Sequence, residues 1–229
     1  MDYIYTAFHQ AHLDGTPVLN AMWYKYPQDP STFPIDLQFF FGDSILVSPV
    51  TEENSTSVNA YFPKDIFYEF LTLKPFQGKG KTVELTNIDF TSIPVHIRGG
   101  AILPLREKGA MTTTALRKTD FEIVVAPNAQ GTASGSLYAD DGISITPKTS
   151  TKVNFEFKKG KLVAKGTFGY PLKVNIARAR FLGVSHEPQV VLINGRIAKK
   201  GTFSYDKSTS VLDVTLKIPF ATSFTVQYL

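Results

Sequence analysis

Cysteine is absent from this chain of 229 residues. Its absence excludes disulfides, thiolate catalysis and cysteine-based zinc sites. No apolar run approaches the roughly 20 residues that a membrane helix needs, so no membrane partner is predicted. The opening MDYIYTAFHQAHLDG lacks a basic start followed by an apolar stretch, so a signal peptide is not expected there. Hydrophobic residues at 43% and charged residues at 19% are typical of a soluble globular protein.

Basic residues are scarce at the start of the chain and abundant at its end. Residues 1–60 hold seven acidic and one basic residue, residues 61–147 hold nine of each, and residues 148–229 hold four acidic and fourteen basic residues. The corresponding charges of −6, 0 and +10 indicate three different pieces. The basic last third could bind an anionic partner, but a solvated, lysine-rich sheet face explains it more simply. No motif supports nucleic-acid binding.

Helical patterning is confined to the first third of the chain. Apolar residues recur at helical spacing at Tyr3, Ile4, Ala7, Phe8 and Ala11, and the following Asp-Gly pair predicts the helix end. The segment TPVLNAMWYKYP then predicts a nearly continuous apolar strand, of the kind buried between parallel neighbours. A second apolar segment at residues 36–41 ends in three phenylalanines that so small a piece could not cover. Residues 1–48 are therefore predicted to be a fragment of something larger.

From residue 44 onward the pattern changes to β. Six short apolar segments, each bounded by Gly, Pro, Asn or Asp, predict a sandwich or an open barrel. Beyond Pro147 apolar residues alternate cleanly with lysines and other polar residues, which is typical of a two-layer sandwich. KKGK and Asn194-Gly195 are predicted to form hairpin turns.

Candidate residues for chemistry are few. His9 and His12 are spaced i, i+3 on the predicted helix, but no HExxH motif or nearby carboxylate completes a metal site, so no metal is predicted. Asp140-Asp141-Gly142 offers two carboxylates, but adjacent strand residues point to opposite faces, which favours an ordinary turn. Arg98-Gly99-Gly100 occurs once and is predicted to be a tight turn. Asn54-Ser55-Thr56 is a candidate N-glycosylation site at Asn54.

Five longer segments follow one another in a recognisable order. They are YIYTAFHQAHLDGTPVLNAMWYKYPQD, TFPIDLQFFFGDSILVSPV, VNAYFP, SIPVHIRGGAILPL and TTTALRKTDFEIVVAPNAQGTASGSLYADDGIS. Together they resemble the C-terminal part of glycoside hydrolase family 31, the α-glucosidases. The resemblance runs from Tyr3 to about Ser144 and is less distinct beyond. It is greatest to secreted fungal α-glucosidases and glucoamylase-type enzymes, and the ER glucosidase II catalytic subunit is a poorer match.

The resemblance implies a mainly β fold, with the end of a (β/α)8 barrel followed by two β-sandwich domains. Residues 1–43 would be the C-terminal fragment of the catalytic barrel. Within it, residues 1–12 would be the seventh helix, residues 16–26 the eighth strand and residues 30–43 a closing helical segment. Residues 44–146 would form the proximal sandwich and residues 147–229 the distal one.

The resemblance also implies that catalysis lies elsewhere. The family's nucleophile is the Asp of a W-x-D-M-N-E-like motif on an earlier barrel strand, whereas the single tryptophan here, Trp23, is followed by Tyr24, Lys25 and Tyr26. The acid/base Asp of the family also lies upstream. No catalytic residue is therefore expected in this chain, which is predicted to be inactive alone, and no cofactor is expected. Tyr24 and Tyr26 are the candidate substrate contacts, although packing in the core or at the rim of the barrel explains them better.

The implied function is that of the C-terminal chain or fragment of a retaining α-glucosidase acting on maltose, maltooligosaccharides or starch. Its partner would be the N-terminal catalytic chain or segment, and its location secreted, cell wall-associated or in the ER lumen. Two alternatives remain open, a scaffold that only stabilises the catalytic part and a free carbohydrate-binding module. The module would need an exposed row of aromatic residues, for which Phe155, Phe157, Phe168 and Tyr170 are available.

Overall fold

A computed structural model describes all residues from 1 to 229, and the fold is mainly β, as predicted. The helices are α1 (Asp2–Asp14), α2 (Met22–Lys25) and α3 (Thr113–Leu116), with a 3₁₀ turn at Pro30–Thr32. The strands are β1 (Leu19–Ala21), β2 (Phe39–Phe41), β3 (Ile45–Val47), β4 (Val58–Phe62), β5 (Ile66–Glu69), β6 (Pro75–Gln77), β7 (Lys81–Leu85), β8 (Val95–Arg98), β9 (Ala101–Arg106), β10 (Phe121–Ala126), β11 (Thr132–Ala139), β12 (Thr151–Lys158), β13 (Lys161–Phe168), β14 (Asn175–Phe181), β15 (Val191–Ile193), β16 (Arg196–Ile197), β17 (Phe203–Asp206), β18 (Val211–Pro219) and β19 (Phe224–Tyr228). None of the helices has the length and apolar character needed to cross a membrane.

Helix α1 forms where its apolar spacing predicts it. It ends at Gly15, which adopts the left-handed conformation at φ 78° and donates its N–H to the carbonyl of Ala11. This geometry suits glycine because a side chain would be strained there. The helix has no fully buried residue, so the chain itself covers its apolar side only in part.

A smaller sheet of six strands has the order β1-β2-β3-β8-β5-β6, and its adjoining strands are antiparallel. Its core contains Met22, Phe40, Leu46, Phe62 and Phe67, all fully buried. Strands β4 and β7 form a separate two-stranded sheet, and β4 contributes to the same core. The three phenylalanines of β2 are therefore covered, with Phe40 inside and its neighbours half-buried. The cover comes from outside the segment, since Phe40 shares its core with Phe62 and Phe67, in agreement with the prediction that so small a piece could not cover its own phenylalanines.

A larger sheet of eleven strands has the order β16-β15-β19-β13-β12-β11-β9-β10-β14-β18-β17. Side chains from both halves of this sheet share one core of 23 buried residues. Phe157 of β12, for example, packs against Phe181 of β14 with ring centroids 5.6 Å apart. The sheet therefore folds over on itself and encloses its apolar face, as in a sandwich.

The predicted alternation and turns of the last third are confirmed. Strand β12 alternates strictly between buried and exposed residues, and it pairs with β13 through a turn at Lys159 and Gly160, both with positive φ. Asn194 and Gly195 have the same geometry between β15 and β16. Positive φ at both central residues matches the right-handed twist of the paired strands.

The predicted eighth barrel strand over residues 16–26 was wrong in length. Only Leu19–Ala21 is a strand, and Met22–Lys25 is a helical turn in which Tyr26 donates its N–H to the carbonyl of Met22. A long strand needs hydrogen-bonding partners along its whole length, and the single neighbour, β2, supplies three residues. The remaining backbone groups are satisfied locally by the helical turn.

The closing helical segment expected over residues 30–43 was also wrong. The helical part is one 3₁₀ turn, Pro30–Thr32, which the side chain of Asp29 caps by accepting the N–H of Ser31. The chain then enters β2. Pro34 follows the turn closely, and a proline cannot donate the backbone hydrogen bond that continues a helix.

The domain bounds at residues 43, 146 and 147 stay a prediction. Strand β11 pairs along its whole length with β12, and β10 pairs with β14, so strands from both sides of residue 147 belong to one sheet. The fold of the last two thirds is therefore continuous in its hydrogen bonding.

Candidate functional site

Helix α1 is attached to the large sheet through polar side chains. The guanidinium of Arg106 on β9 binds both carboxylate oxygens of Asp2, at 2.9 and 2.7 Å. The same guanidinium lies over the ring of Phe121 at 3.8 Å and donates to the carbonyl of Thr119 at 2.6 Å. A bidentate, largely buried pair of this kind fixes the orientation of both groups. The N-terminal turn of α1 is thereby held against β9 and β10.

Asp140 provides the second attachment point, which we call the Asp140 latch. Its carboxylate accepts hydrogen bonds from the hydroxyls of Tyr5 on α1 (2.7 Å) and Tyr138 on β11 (2.8 Å), and from the N–H of Gly142 (2.8 Å). Burial alone would raise the pKa of this carboxyl, but the hydrogen bonds from the two tyrosines and Gly142 lower it below its usual range. Asp140 is therefore ionised and structural, as the preferred interpretation of the Asp-Asp-Gly sequence predicts.

Asp141 stabilises the turn that follows it. Its carboxylate accepts the backbone N–H groups of Ile143 and Ser144 at 3.0 and 2.9 Å. The hydrogen bonds from Ser144 lower the pKa of Asp141 to about 2. The two adjacent carboxylates thus bind different groups, Asp140 the two tyrosine hydroxyls and Asp141 the turn that follows it, and do not form the pair flanking one bond that sugar hydrolysis would require.

His9 and His12 do not converge on a metal site. The ring of His9 stacks on Tyr138, with centroids 3.5 Å apart and an angle of 3° between the planes. Its Nε2 is buried without a hydrogen-bond partner. Burial lowers the pKa of His9, and the positive charge of Lys152 lowers it further. No group of three or more His, Cys, Asp or Glu side chains is arranged to hold a metal ion. His9 therefore acts as a packing residue between α1 and β11.

The first 43 residues expose an unusual amount of apolar surface. Nine of the seventeen large hydrophobic side chains that are exposed lie in this stretch, and we call them the N-terminal apolar surface: Met1, Tyr5, Phe8, Leu13, Leu19, Trp23, Tyr24, Phe33 and Leu37. Phe8 on α1 is 59% exposed and Leu19 on β1 is 60% exposed. So many exposed apolar side chains in one stretch of chain are typical of a region that another molecule or segment covers.

Tyr24 and Tyr26, the two candidate substrate contacts, differ in their surroundings. Tyr24 is 45% exposed and belongs to the N-terminal apolar surface. Tyr26 is half-buried, its hydroxyl donates to Asp65 at 2.9 Å, and the guanidinium of Arg98 lies 4.6 Å from its ring centroid. Burial raises the pKa of the Tyr26 hydroxyl. The sequence analysis treated both tyrosines as candidate substrate contacts, whereas in the structure only the side chain of Tyr24 is exposed.

A groove lies beside α2, between the 3₁₀ turn and strand β4. It has a volume of about 550 Å³, and we call it the Tyr26 groove. Its lining includes Tyr26, Gln28, Asp29, Tyr61 and Lys64. The hydroxyl of Tyr61 donates to Asp29 at 2.7 Å. Sequence reasoning missed Asp29, Tyr61 and Lys64 because 30 or more residues separate the two walls along the chain.

A second cavity, of about 510 Å³, separates α1 from the turn between β8 and β9. Its charged groups are already paired, Lys25 with Asp43 at 2.6 Å and Arg98 with Asp65 at 3.0 Å. The turn contains Gly99 and Gly100, as the Arg-Gly-Gly sequence predicts. A Cβ at Gly99 would lie 2.2 Å from the side chain of Ile66, so the turn requires glycine for close packing.

Asn54 and His96 complete the set of candidate residues. Asn54 is exposed in a turn, with φ at 59°, so its side chain is open to solvent as a glycosylation site requires. His96 on β8 is buried beside Phe62 and Phe76, and its Nδ1 has no partner. Burial lowers the pKa of His96 to about 4. Sequence reasoning missed this environment because His96 lies between Val95 and Ile97 in a strand of only four residues, which is too short for its pattern to show which side chains are buried.

Comparison with known proteins defines the class to which this architecture corresponds. Residues 15–103 match the Glycosyl hydrolase family 31 C-terminal domain. The resemblance to the C-terminal part of family 31 glucosidases, predicted from the order of segments, is thereby confirmed.

Individual proteins that are similar to this chain carry glucosidase or glucoamylase names. The chain is 54% identical over 185 residues to the Probable alpha/beta-glucosidase agdC of Aspergillus fumigatus, which covers 81% of this chain and 21% of that protein. It is 35% identical over 234 residues to Glucoamylase 1 of Candida albicans, covering 100% of this chain and 24% of that protein. A crystal structure of the glucosidase II alpha subunit superposes with a TM-score of 0.82 and 26% identity, over 100% of this chain and 27% of the other. The chain thus spans about a fifth to a quarter of the length of these proteins.

Proposed function

We propose that this chain is the C-terminal part of a retaining α-glucosidase that releases glucose from the non-reducing ends of maltose, maltooligosaccharides or starch. The observation that carries the proposal is the N-terminal apolar surface, since it lies in a chain that spans only a fifth to a quarter of its glucosidase relatives. An N-terminal catalytic part would cover that surface. The chain would complete the catalytic barrel and stabilise it.

In this proposal both catalytic carboxylates belong to the partner. Retention of configuration needs a carboxylate nucleophile and a second carboxylic acid about 5 Å apart. Asp140 and Asp141, the adjacent pair in this chain, are committed to the latch and to a turn. The chain alone is therefore inactive, and its contribution is to hold the barrel closed and to bring Tyr24, and less directly Tyr26, towards the substrate.

The accompanying assignments follow from the same proposal. The partner is the N-terminal chain or segment of the same glucosidase, so the assembly would be a heterodimer if the two parts are separate polypeptides. The enzyme would be secreted or associated with the cell wall, with the ER lumen as the alternative, and Asn54 would carry an N-linked glycan. Its exposure in a turn supports the last assignment.

A free carbohydrate-binding module receives less support. Phe155 and Phe157 are 1% and 3% exposed and belong to the core of the large sheet. Phe168 packs against the same core. An exposed aromatic row, on which sugar rings could stack, is therefore not formed by these residues.

Size-exclusion chromatography of the native material, with mass spectrometry of each component, tests the proposal. We expect this chain to co-elute with a larger polypeptide, or to be found as part of one, in a peak that hydrolyses maltose. A stable, inactive monomer with no associated catalytic segment would overturn it. The variants Tyr24→Ala and Phe90→Ala, each of which removes an exposed aromatic ring, then test substrate contact, since a raised KM for Tyr24→Ala alone would support it.

A further inference from the structure

The turn between β15 and β16 contains the only asparagine of the chain that a glycine follows, Asn194 before Gly195. Both residues are exposed and both have positive φ, at 50° and 75°. Glycine has no side chain to shield its backbone nitrogen, and a Cβ built on Gly195 would meet nothing within 4 Å. The space around this nitrogen is therefore open, and the carboxamide of Asn194 is the nearest group with which it can react.

The reaction that such a pair permits is the loss of ammonia from Asn194, a residue type that is chemically labile. After hydroxide has removed its proton, the backbone nitrogen of Gly195 attacks Cγ of Asn194. The new N–C bond closes a cyclic imide as the Cγ–Nδ2 bond breaks, and Nδ2 keeps the electron pair, takes a proton from water and leaves as ammonia. Water then opens the imide at either carbonyl, which gives aspartate or isoaspartate. Water is the only co-reactant consumed.

In the folded chain the carboxamide of Asn194 is held by strand β19. Its Oδ1 accepts the backbone N–H of Thr225 at 2.8 Å, and the backbone N–H of Asn194 donates to the carbonyl of Thr225 at 2.9 Å. In a regular antiparallel pair the backbone carbonyl of Asn194 would accept the Thr225 N–H. The side chain takes that role because the backbone has already entered the turn. The carboxamide thus forms the last hydrogen bond between β15 and β19 and is fixed in position.

The hairpin that carries Asn194 lies at one edge of the large sheet. Strand β16 has two residues, pairs with β15 alone and has no neighbour on its other side. Strand β15 pairs on its other side with β19. A short edge strand opens locally at a much lower free energy than the core strands do. Such an opening would release the carboxamide from Thr225 and let it reach the nitrogen of Gly195.

From these observations we infer that Asn194 is a deamidation site that the folded hairpin protects, and that the reaction proceeds when the β15–β16 turn opens. Aspartate would still offer an acceptor to the N–H of Thr225. Isoaspartate inserts a methylene group into the backbone and so removes the tight turn that the paired strands need. Modification would therefore loosen the edge formed by β16, β15 and the end of β19. The inference does not depend on the proposed glucosidase function.

Peptide mapping by mass spectrometry of the 229-residue chain provides the test. The fractions of Asn194 converted to aspartate and to isoaspartate are followed over time at mildly alkaline pH, in the native chain and in urea-unfolded chain. Asn54 and Asn87 are internal controls, because both are exposed with φ at 59° but are followed by serine and isoleucine.

Two variants weaken the protection in different places. Thr225→Pro removes the N–H that holds Oδ1 of Asn194. Ala198→Pro removes the N–H that donates to the carbonyl of Val191 at 2.8 Å, and so loosens the hairpin without changing either residue of the Asn194–Thr225 pair. A thermal unfolding transition close to that of the unchanged chain establishes that a variant is folded, and the second variant provides the test if the first does not fold.

We expect Asn194 to react roughly tenfold or more faster in the unfolded chain than in the native chain, with isoaspartate among the products and no conversion of Asn54 or Asn87 over the same period. Each folded variant should raise the native rate about fivefold, the factor to which one hydrogen bond corresponds. Four results would overturn the inference: no conversion of Asn194 in the unfolded chain, equal rates in native and unfolded chain, aspartate as the sole product, or a native rate that neither folded variant raises.

Discussion

The first 43 residues and the last 82 residues of this chain are opposites in how they use apolar side chains. The first stretch exposes nine large hydrophobic residues, and no residue of α1 is fully buried. Residues 148–229 expose two, Ile197 and Leu229, and supply most of the core of the large sheet. The C-terminal strands thus bury almost all their large apolar side chains within the chain, whereas the N-terminal stretch leaves many of its own exposed.

The largest expected effect is on the free energy of unfolding, when a phenylalanine is replaced by alanine in each of the two regions. Phe155→Ala removes a fully buried ring and is expected to lower the free energy of unfolding by about 3–5 kcal/mol. Phe8→Ala removes a ring that is 59% exposed and is expected to change it by less than about 0.5 kcal/mol. Urea unfolding of both variants measures the difference. Equal losses would break the comparison, because they would mean that α1 is as well packed as the core.

The next effect concerns His96 in the smaller sheet that joins the two regions. Burial lowers the pKa of His96 from 6.5 to about 4. Above pH 6.5 the imidazole is neutral in both states, and between pH 6.5 and 4 only the unfolded chain binds the proton. The free energy of unfolding should therefore fall by about 3 kcal/mol over this window as the pH is lowered, and stay level below it.

His96→Gln should remove this part of the pH dependence, which urea unfolding at several pH values would show. His186→Gln is the matched control, because His186 is exposed. An unchanged slope between pH 6.5 and 4 in His96→Gln would contradict the buried, neutral imidazole.

A smaller effect is expected at the Asp140 latch, which attaches α1 to β11. Asp140→Ala leaves the hydroxyls of Tyr5 and Tyr138 without their acceptor and should cost about 2–3 kcal/mol. Limited proteolysis should then cut within α1 before it cuts elsewhere. Asp141→Ala, one residue away, should leave α1 protected, and equal cleavage in both variants would argue against the latch.

The smallest effect distinguishes the two tyrosines beside the groove. Tyr26→Phe deletes the hydroxyl that donates to Asp65, and we expect a loss of about 1 kcal/mol in the free energy of unfolding. Tyr24→Phe deletes a hydroxyl on an exposed ring and should have no measurable effect on stability. A loss at Tyr24 equal to that at Tyr26 would contradict the different roles assigned to them.

These contrasts also explain what the sequence could predict. The alternation of β12 and the turns at Lys159-Gly160 and Asn194-Gly195 were readable because each strand pairs with a near neighbour within the chain. The segment MWYK was misread as strand because its apolar pattern does not show that only β2 is available to pair with it. A short apolar run is ambiguous between strand and helix until its partners are known.

The candidate sites were less predictable for a different reason. Tyr24, Tyr26 and Asn54 are visible in the sequence, but the Asp140 latch joins residues 135 positions apart, and the groove joins Asp29 to Tyr61. Such contacts depend on how the sheets stack, which local patterns do not encode. Only the order of segments resembling family 31 carried information about function.

The central claim is that residues 1–43 form the surface to which a catalytic part binds. Hydrogen–deuterium exchange of this chain, alone and together with the proposed catalytic part, tests it most directly. The account predicts that assembly slows exchange in α1 and in the segment from β1 to β2, with little change in β12–β19. Unchanged exchange in residues 1–43, or protection confined to β12–β19, would contradict it.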